Sequence, residues 1–187
     1  RDLLEQSTVF AERVRECDAV LLPHTGWSVE KVIRGDEGED IPSLERVDVV
    51  QPALFTMSVA LAAVWRSLGI EPAAVVGHSQ GEVGAAVVAG AFSLQDAAAV
   101  VVARSQLVRR LSGKGGMAVI ELPREEVALR LKFYEGQLAV AVVNTPSSTV
   151  VSGDTDAIDA LVAELESENV FCRRVNVDYA SHCSHVD

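Results

Sequence analysis

Apolar positions divide the chain into a first part with helical spacing and a second part in which short strands alternate with helices. Residues 1–20 show helical spacing, and the almost continuous apolar run 52–68 predicts a buried helix with proline in its first turn. Residues 73–77 then have the length of a buried strand, and 82–91 predict a helix of small residues. We therefore expect strand, sharp turn and helix around residue 79.

The second part of the chain predicts a separate small sheet. Ser93 followed by Asp96 is a capping pattern that opens a helix reaching about residue 111. Beyond the glycine-rich stretch 112–116, the pattern predicts strands and helices in the order βαββαβ, which is ferredoxin-like. The predicted strands are 117–122, 138–144, 148–152 and 171–177, and the helices between them are 123–131 and 154–167.

These elements predict an α/β fold with a hydrolase-like large subdomain and a small ferredoxin-like inserted subdomain. We assign residues 1–116 and 176–187 to the large catalytic subdomain and 117–175 to the small one. A chain of 187 residues with 49% hydrophobic residues is long and apolar enough for one substantial core with such a satellite.

Charge and cysteine content limit the partners and the compartment. The formal net charge is −11, which repels phosphate backbones and anionic lipid, so we expect neither nucleic acid nor a membrane as partner. No uninterrupted apolar run reaches the roughly 18 residues of a membrane span. Cys17, Cys172 and Cys183 form no CxxC pair or metal-ligand spacing. A soluble cytoplasmic protein without a metal site is expected.

The pentapeptide 77–81, Gly-His-Ser-Gln-Gly, is the main candidate for chemistry. In a Gly-x-Ser-x-Gly turn between strand and helix, the serine side chain is held at the strand end and the glycines permit a close backbone approach. The bare pattern arises by chance in roughly one chain of this length in fifteen. Its position between a predicted strand and helix favours a nucleophile at Ser79, with the Gln80 backbone N–H as an oxyanion donor.

A serine nucleophile needs a base, and four histidines are available. His182 lies just beyond the last predicted strand, and His185, three residues later, is its real competitor. His78 is the immediate neighbour of Ser79 and more simply hydrogen-bonds within the turn. His24 is expected on the surface, in a loop.

Arg104 is the only charged residue in the apolar centre of its predicted helix. Burying a guanidinium there requires an anionic partner. A salt bridge to a nearby acid and a bidentate hold on the carboxylate of a substrate explain it equally well.

Taken together, these residues resemble the malonyl-CoA:acyl carrier protein transacylase family, in particular the acyltransferase domains of modular, type I polyketide synthases. The similarity runs from about residue 47 to the end. It rests on five motifs: Gln-Pro-Ala-Leu-Phe at 51–55, the pentapeptide 77–81, Arg104, Val-Asn-Thr-Pro at 143–146 and Tyr-Ala-Ser-His at 179–182.

The resemblance implies roles for individual residues. Ser79 would be acylated, His182 would be its general base and Arg104 would hold the free carboxylate of the extender unit. Gln51 and Asn144 match residues that line the pocket, although a helix-start cap and a strand-end turn explain them as well.

The resemblance also implies the reaction and its partners. An acyl group would pass from its CoA thioester to Ser79 and then to the phosphopantetheine thiol of an acyl carrier protein, in two ping-pong halves. No bound cofactor is needed, and a ketosynthase domain is expected as a neighbour in the same polypeptide. Because the family begins with a strand and a Gly-Gln-Gly loop that supplies a second oxyanion donor, the sequence resembles an internal excerpt that would not turn over alone.

The expected extender is methylmalonyl. The sequence at 179–182 resembles the form found in methylmalonyl-using domains, whereas malonyl-using ones have His-Ala-Phe-His. Gln80 also fits the methylmalonyl form, and Ser181 in place of Phe leaves room for an α-methyl branch. Tyr179, Ser181, His78 and Gln80 are therefore the predicted specificity residues, with Gln51 and Asn144 in the pocket. A malonyl-specific domain is the alternative.

Two other classes remain open. A thioesterase of the α/β-hydrolase type shares the elbow and the late histidine, and the aspartates that could complete its triad are Asp154, Asp156, Asp159 and Asp178. A βαββαβ insertion and Arg104 argue against it. A non-catalytic scaffold segment is disfavoured by the joint presence of Ser79, His182 and Arg104.

Overall fold

The computed structural model describes residues 1–186. The chain forms two compact units, Arg1–Leu107 and Val108–Asp187. The predicted division, which returns 176–187 to the large subdomain, differs from these bounds and stays a prediction.

Unit 1 is helical throughout its regular structure. Its helices are α1 (Asp2–Gln6), α2 (Thr8–Thr25), α3 (Val29–Arg34), α4 (Val47–Ser67), α5 (Gly81–Val88) and α6 (Leu94–Arg109), the last of which extends two residues into unit 2. The short helix α3 was not predicted, and the helical pattern 1–20 is broken into α1 and α2 at Ser7.

Polar caps fix where these helices begin. Ser7 accepts a hydrogen bond from the Phe10 backbone N–H, and the predicted cap at Ser93 is confirmed, because its hydroxyl oxygen lies 3.0 Å from the Asp96 N–H donor. Each cap satisfies an amide that a helix start leaves without a partner. Helix α2 ends at Gly26, whose φ of 75° suits glycine.

Helix α4 forms the centre of unit 1. Its residues Phe55 and Val59 pack in one core cluster with residues of α2 and α6, and Ala60 packs in another with Phe10. The helix begins at Val47, so Pro52 lies inside it rather than in its first turn.

By length and composition alone, α4 is also long and apolar enough to cross a membrane, although polar residues interrupt its apolar run. Charged residues lie only near its ends, at Asp48 and Arg66. However, 56% of its most apolar window is buried inside the protein, as in the core helices of globular proteins.

The strand predicted at 73–77 is not formed. The segment has no regular secondary structure and is mostly exposed, with Val76 93% accessible. A strand exists only where its backbone groups pair with a neighbour, and none of the described residues of unit 1 forms a strand. The prediction of a strand at 73–77 is therefore wrong for the described chain.

Unit 2 has the predicted βαββαβ order. The elements are β1 (Gly116–Ile120), α7 (Arg124–Leu131), β2 (Leu138–Thr145), β3 (Ser148–Gly153), α8 (Thr155–Ser167) and β4 (Cys172–Arg174), with a 3₁₀ turn after α7 and another at Ser184–Val186. The antiparallel sheet has the strand order β2-β3-β1-β4, with Gly116 opposite Gly153 and Ala118 opposite Arg174.

The sheet and its two helices enclose one core. Residues of β1 and β3 pack with α7 and α8, and the fully buried members include Ile120, Val151, Ile158, Leu161 and Leu165. This arrangement confirms the predicted ferredoxin-like subdomain and, with it, the α/β fold class.

Candidate active site

The turn before α5 gives Ser79 an unusual backbone. Its φ is 53°, in the left-handed region that residues other than glycine rarely adopt. The turn is closed by a hydrogen bond from Gly81 N–H to the His78 carbonyl at 3.0 Å, and Glu82 N–H donates to the Ser79 carbonyl at 3.1 Å. Ser79 therefore sits at the tip of a tight elbow, directly before a helix N-terminus, which is the geometry of a nucleophile elbow.

The two glycines of the pentapeptide differ in their roles. A Cβ at Gly77 would lie 2.2 Å from the Glu82 backbone N and 2.3 Å from its Cα, a distance that real Cβ atoms do not reach. Glycine at 77 is thus required for the segment to pass against the start of α5. A Cβ at Gly81 would meet nothing within 4 Å, so the expected close approach applies to Gly77 and not to Gly81.

Gln80 is the N-cap residue of α5 and directly follows Ser79. Its backbone N–H has no acceptor among residues 1–186, and its side-chain Oε1 is buried without a hydrogen-bond partner there. An N–H in this position adds to the positive end of the α5 dipole. The arrangement is suited to stabilising negative charge that develops next to Ser79.

A groove of about 770 Å³ runs along the elbow, but Ser79 does not line it. Its walls are mostly apolar side chains of α4, α5 and the 70–76 segment, with His78 and Gly77 at one end. Because Ser79, the predicted nucleophile, does not line it, we do not assign an acyl group to this groove. The side chain of His78 is exposed, and it does not form the hydrogen bond within the turn that was expected for it.

Arg104 and Gln51, which are 53 residues apart in the chain, are in direct contact. The guanidinium Nη1 of Arg104 on α6 donates to Gln51 Oε1 on α4 at 2.7 Å. Gln51 is only 7% exposed, and Arg104 is half-buried. Within residues 1–186, no carboxylate lies at salt-bridge distance from Arg104. The alternative explanation of Arg104, a salt bridge to a nearby acid, is therefore not supported.

In unit 2, the segment that contains His182 is fixed at its start by Asp178. The Asp178 carbonyl accepts from the Gly113 N–H at 2.6 Å, and its carboxylate accepts a short hydrogen bond from Ser112. Next along the chain, Ala180 is fully buried, and a Cβ on Gly115 would come within 2.6 Å of the Ala180 Cβ. The segment that contains His182 therefore packs against the glycine-rich loop 112–116.

The following residues contact the strands of the sheet. Ser181 Oγ lies 3.3 Å from Met117 Sδ on β1, and Cys183 Sγ lies 3.7 Å from Ser152 Oγ on β3. Tyr179 is half-buried. The predicted specificity residue Ser181 thus has Met117 as a neighbour, which sequence reasoning missed, because no local pattern relates positions 64 residues apart.

The two late histidines have different environments. His182 is exposed and has a φ of 60°, the left-handed region again. His185 Nε2 lies 2.8 Å from Asp154 Oδ1, at the N-cap of α8. The ring of His185 is therefore engaged by unit 2 itself, a contact that the sequence did not reveal.

The remaining candidates are peripheral within their own units. Asn144 is exposed near the end of β2, beside the turn to β3. His24 is exposed as expected, but it belongs to the last turn of α2 rather than to a loop. Within residues 1–186, no three His, Cys, Asp or Glu side chains come together in a way that could hold a metal ion.

The elbow in unit 1 and the four-stranded antiparallel sheet of unit 2 are features of the α/β acyltransferase fold. The structure matches the crystal structure of the acyltransferase domain from module 8 of the salinomycin polyketide synthase with a TM-score of 0.93 and 50% identity. That match covers 97% of this chain and 43% of the salinomycin domain chain.

The whole chain, residues 1–187, matches the acyl transferase domain family, and it belongs to that family. It is 54% identical over 186 residues to the spectinabilin polyketide synthase system protein NorC of Streptomyces orinoci, covering 99% of this chain and 8% of NorC. Identity to erythronolide synthase EryA3 of Saccharopolyspora erythraea is 52% over 188 residues, covering 100% of this chain and 6% of EryA3. The chain is thus part of an acyltransferase domain of the modular polyketide synthase type.

Proposed function

We propose that this domain transfers a methylmalonyl extender unit from its CoA thioester to the phosphopantetheine thiol of an acyl carrier protein during polyketide synthesis. The observation that carries the proposal is Ser79, held in a left-handed elbow at the head of α5. Family membership supports the acyl-transfer class, and Arg104 with the 179–182 segment supports the choice of extender.

In the first half-reaction, Ser79 Oγ attacks the thioester carbonyl while His182 accepts the hydroxyl proton. The C–S bond breaks, and CoA leaves as the thiol with the proton from His182. In the second half, the carrier-protein thiol gives its proton to His182 and attacks the acyl-serine carbonyl. The C–O bond to Ser79 breaks, and His182 returns the proton to Ser79 Oγ. The engagement of His185 by Asp154 favours His182 as the base.

Negative charge on the carbonyl oxygen rises in each tetrahedral intermediate. The Gln80 N–H, which has no acceptor within residues 1–186, is suited to donate to that oxygen. Removing one such donor in other enzymes costs about 10²- to 10³-fold in rate.

The carboxylate of the extender is assigned to Arg104. Its guanidinium is bonded to the neutral Gln51 and to no acid within residues 1–186. A planar guanidinium binds a carboxylate through two parallel hydrogen bonds. Ser181, smaller than the phenylalanine of malonyl-using domains, supports an extender with an α-methyl branch.

The setting of the reaction is also a proposal. The three cysteines are free thiols, which supports a reducing cytoplasm. A ketosynthase domain in the same polypeptide and an acyl carrier protein are the partners that this activity requires. Neither a metal nor a bound cofactor takes part in the proposed chemistry.

The test is mass spectrometry of the full-length protein after exposure to an equimolar mixture of malonyl-CoA and methylmalonyl-CoA. We expect a methylmalonyl adduct on Ser79 that disappears when a phosphopantetheinylated carrier protein is added. Ser79→Ala should form no adduct. Release of free acid without a thiol acceptor would instead establish a hydrolase, and a dominant malonyl adduct would establish the malonyl-specific alternative.

A further inference from the structure

The contact between Gln51 and Arg104 suggests a purpose for a neutral side chain in that position. Arg104 has five N–H donors and no acceptor, and one of them is bound by Gln51 Oε1 at 2.7 Å. Gln51 is itself 7% exposed and held in the core helix α4, so its position is set by the packing of that helix.

An acid at position 51 would hold the guanidinium equally well, but it would neutralise the charge. A glutamine oxygen accepts the hydrogen bond and leaves the positive charge intact for an incoming carboxylate. An apolar residue would leave the charge intact but let the long side chain sample many rotamers, which costs entropy on binding.

On this basis we infer that Gln51 is a positioning residue that orients the Arg104 guanidinium toward a carboxylated acyl thioester without neutralising it. The inference rests on the proposed function, because it assumes that Arg104 binds the extender carboxylate. It goes further in assigning the selectivity for carboxylated thioesters to a pair of residues on α4 and α6.

The experiment compares two thioesters that differ only in the carboxylate, methylmalonyl-CoA and propionyl-CoA, on the full-length protein. Gln51→Met removes the acceptor at similar volume. We expect kcat/KM of acyl-enzyme formation to fall about 10- to 100-fold for methylmalonyl-CoA, mainly through KM, because a hydrogen bond to a charged group is lost. The value for propionyl-CoA should stay within about twofold.

Two further variants test the same point if Gln51→Met folds poorly. Gln51→Glu keeps the acceptor and adds a charge, so methylmalonyl-CoA should be lost while propionyl-CoA is retained. Thr56→Val is the matched control, because Thr56 is also buried on α4 but its hydroxyl neighbours the Cys17 thiol and is not bonded to Arg104. This variant should leave kcat/KM of acyl-enzyme formation unchanged for both thioesters.

A double-mutant cycle separates positioning from general packing. In an Arg104→Met background, Gln51→Met should change kcat/KM for either thioester by no more than about twofold. Equal losses for both thioesters, or an undiminished loss without Arg104, would overturn the inference. Absence of any acyl-Ser79 in the unaltered protein would instead overturn the proposed function, so the two failures are distinguishable.

Discussion

Ser181 Oγ lies 3.3 Å from the sulfur of Met117, so the residue expected to admit a methyl branch is bounded on one side by strand β1. Met117 is 9% exposed. Since methionine is unbranched and adaptable, it can yield to a larger neighbour only by changing rotamer. The space beside position 181 therefore depends on two residues from distant parts of the sequence.

Exchanging Tyr179→His together with Ser181→Phe should shift the choice of extender toward malonyl. The phenyl ring fills the space of the methyl branch, which is worth about 1 to 3 kcal/mol. The ratio of malonyl to methylmalonyl adducts on Ser79 in a mixed-substrate incubation should rise about 10-fold or more. Adding Met117→Ala, which restores room, should return part of the methylmalonyl adduct. A ratio that ignores all three substitutions would disprove the size argument.

The elbow offers a matched pair of glycine substitutions. Gly77→Ala should disrupt the turn, because its Cβ would lie 2.2 Å from the Glu82 N. We expect a loss of about 2 kcal/mol or more in unfolding free energy and no acyl-Ser79. Gly81→Ala, with nothing within 4 Å of its Cβ, should be nearly neutral in stability. Chemical unfolding of both variants measures this, and similar destabilisation by the two would contradict the close-approach argument.

Arg130 connects α7 to α8 and gives unit 2 a pH dependence. It donates to both carboxylate oxygens of Glu168, at 2.9 and 2.7 Å, and this hydrogen bonding lowers the pKa of Glu168 below its ordinary 4.5. A carboxyl with a lowered pKa stabilises the fold above its ordinary value, and the contribution is lost as pH falls through the folded value.

Arg130→Gln should therefore lower the urea midpoint at pH 7 by a small amount, and the difference from the unaltered protein should shrink toward pH 3. Arg124→Gln is the control, because Arg124 is exposed at the start of the same helix. A difference that persists unchanged at pH 3 would show that Arg130 acts through packing rather than through its ion pairs.

Cys17 should be the least reactive thiol of the chain. It lies on α2 and is fully buried beside Thr56 of α4, and burial raises its pKa to about 11. At pH 8 only about one molecule in a thousand would carry the reactive thiolate. Timed labelling with a maleimide should modify Cys183 long before Cys17, which should react only when the protein unfolds. Early modification of Cys17 would indicate that unit 1 opens locally.

The small sheet and the helix caps could be predicted because their signals are local. Short apolar runs define β1 and β3, and the serine at position 93 lies three residues from the amide that it caps. The prediction of a strand at 73–77 was wrong for the opposite reason. Its apolar pattern is local, but strand formation requires a partner backbone, which a pattern within five residues does not supply.

The candidate site divides in the same way. The elbow at Ser79 was predictable because the Gly-x-Ser-x-Gly pattern stands directly before a helix of small residues. The partners of Arg104, Ser181 and His185 come from tertiary packing, and each lies 31 to 64 residues away in the chain. Their residue types give no signal, because glutamine, methionine and aspartate are common in core, strand and cap positions alike.

The close packing of Ala180 against Gly115 matters for attempts to exchange this segment between synthases. Ala180 is fully buried, and the glycine beneath it leaves no room for a side chain. A 179–182 tetrapeptide taken from another synthase, if it has the specificity role that we propose, would therefore need matching residues at 115 and 117. The smallest segment to exchange is therefore discontinuous in sequence. It comprises residues 179–182 together with residues 115 and 117 at the start of β1.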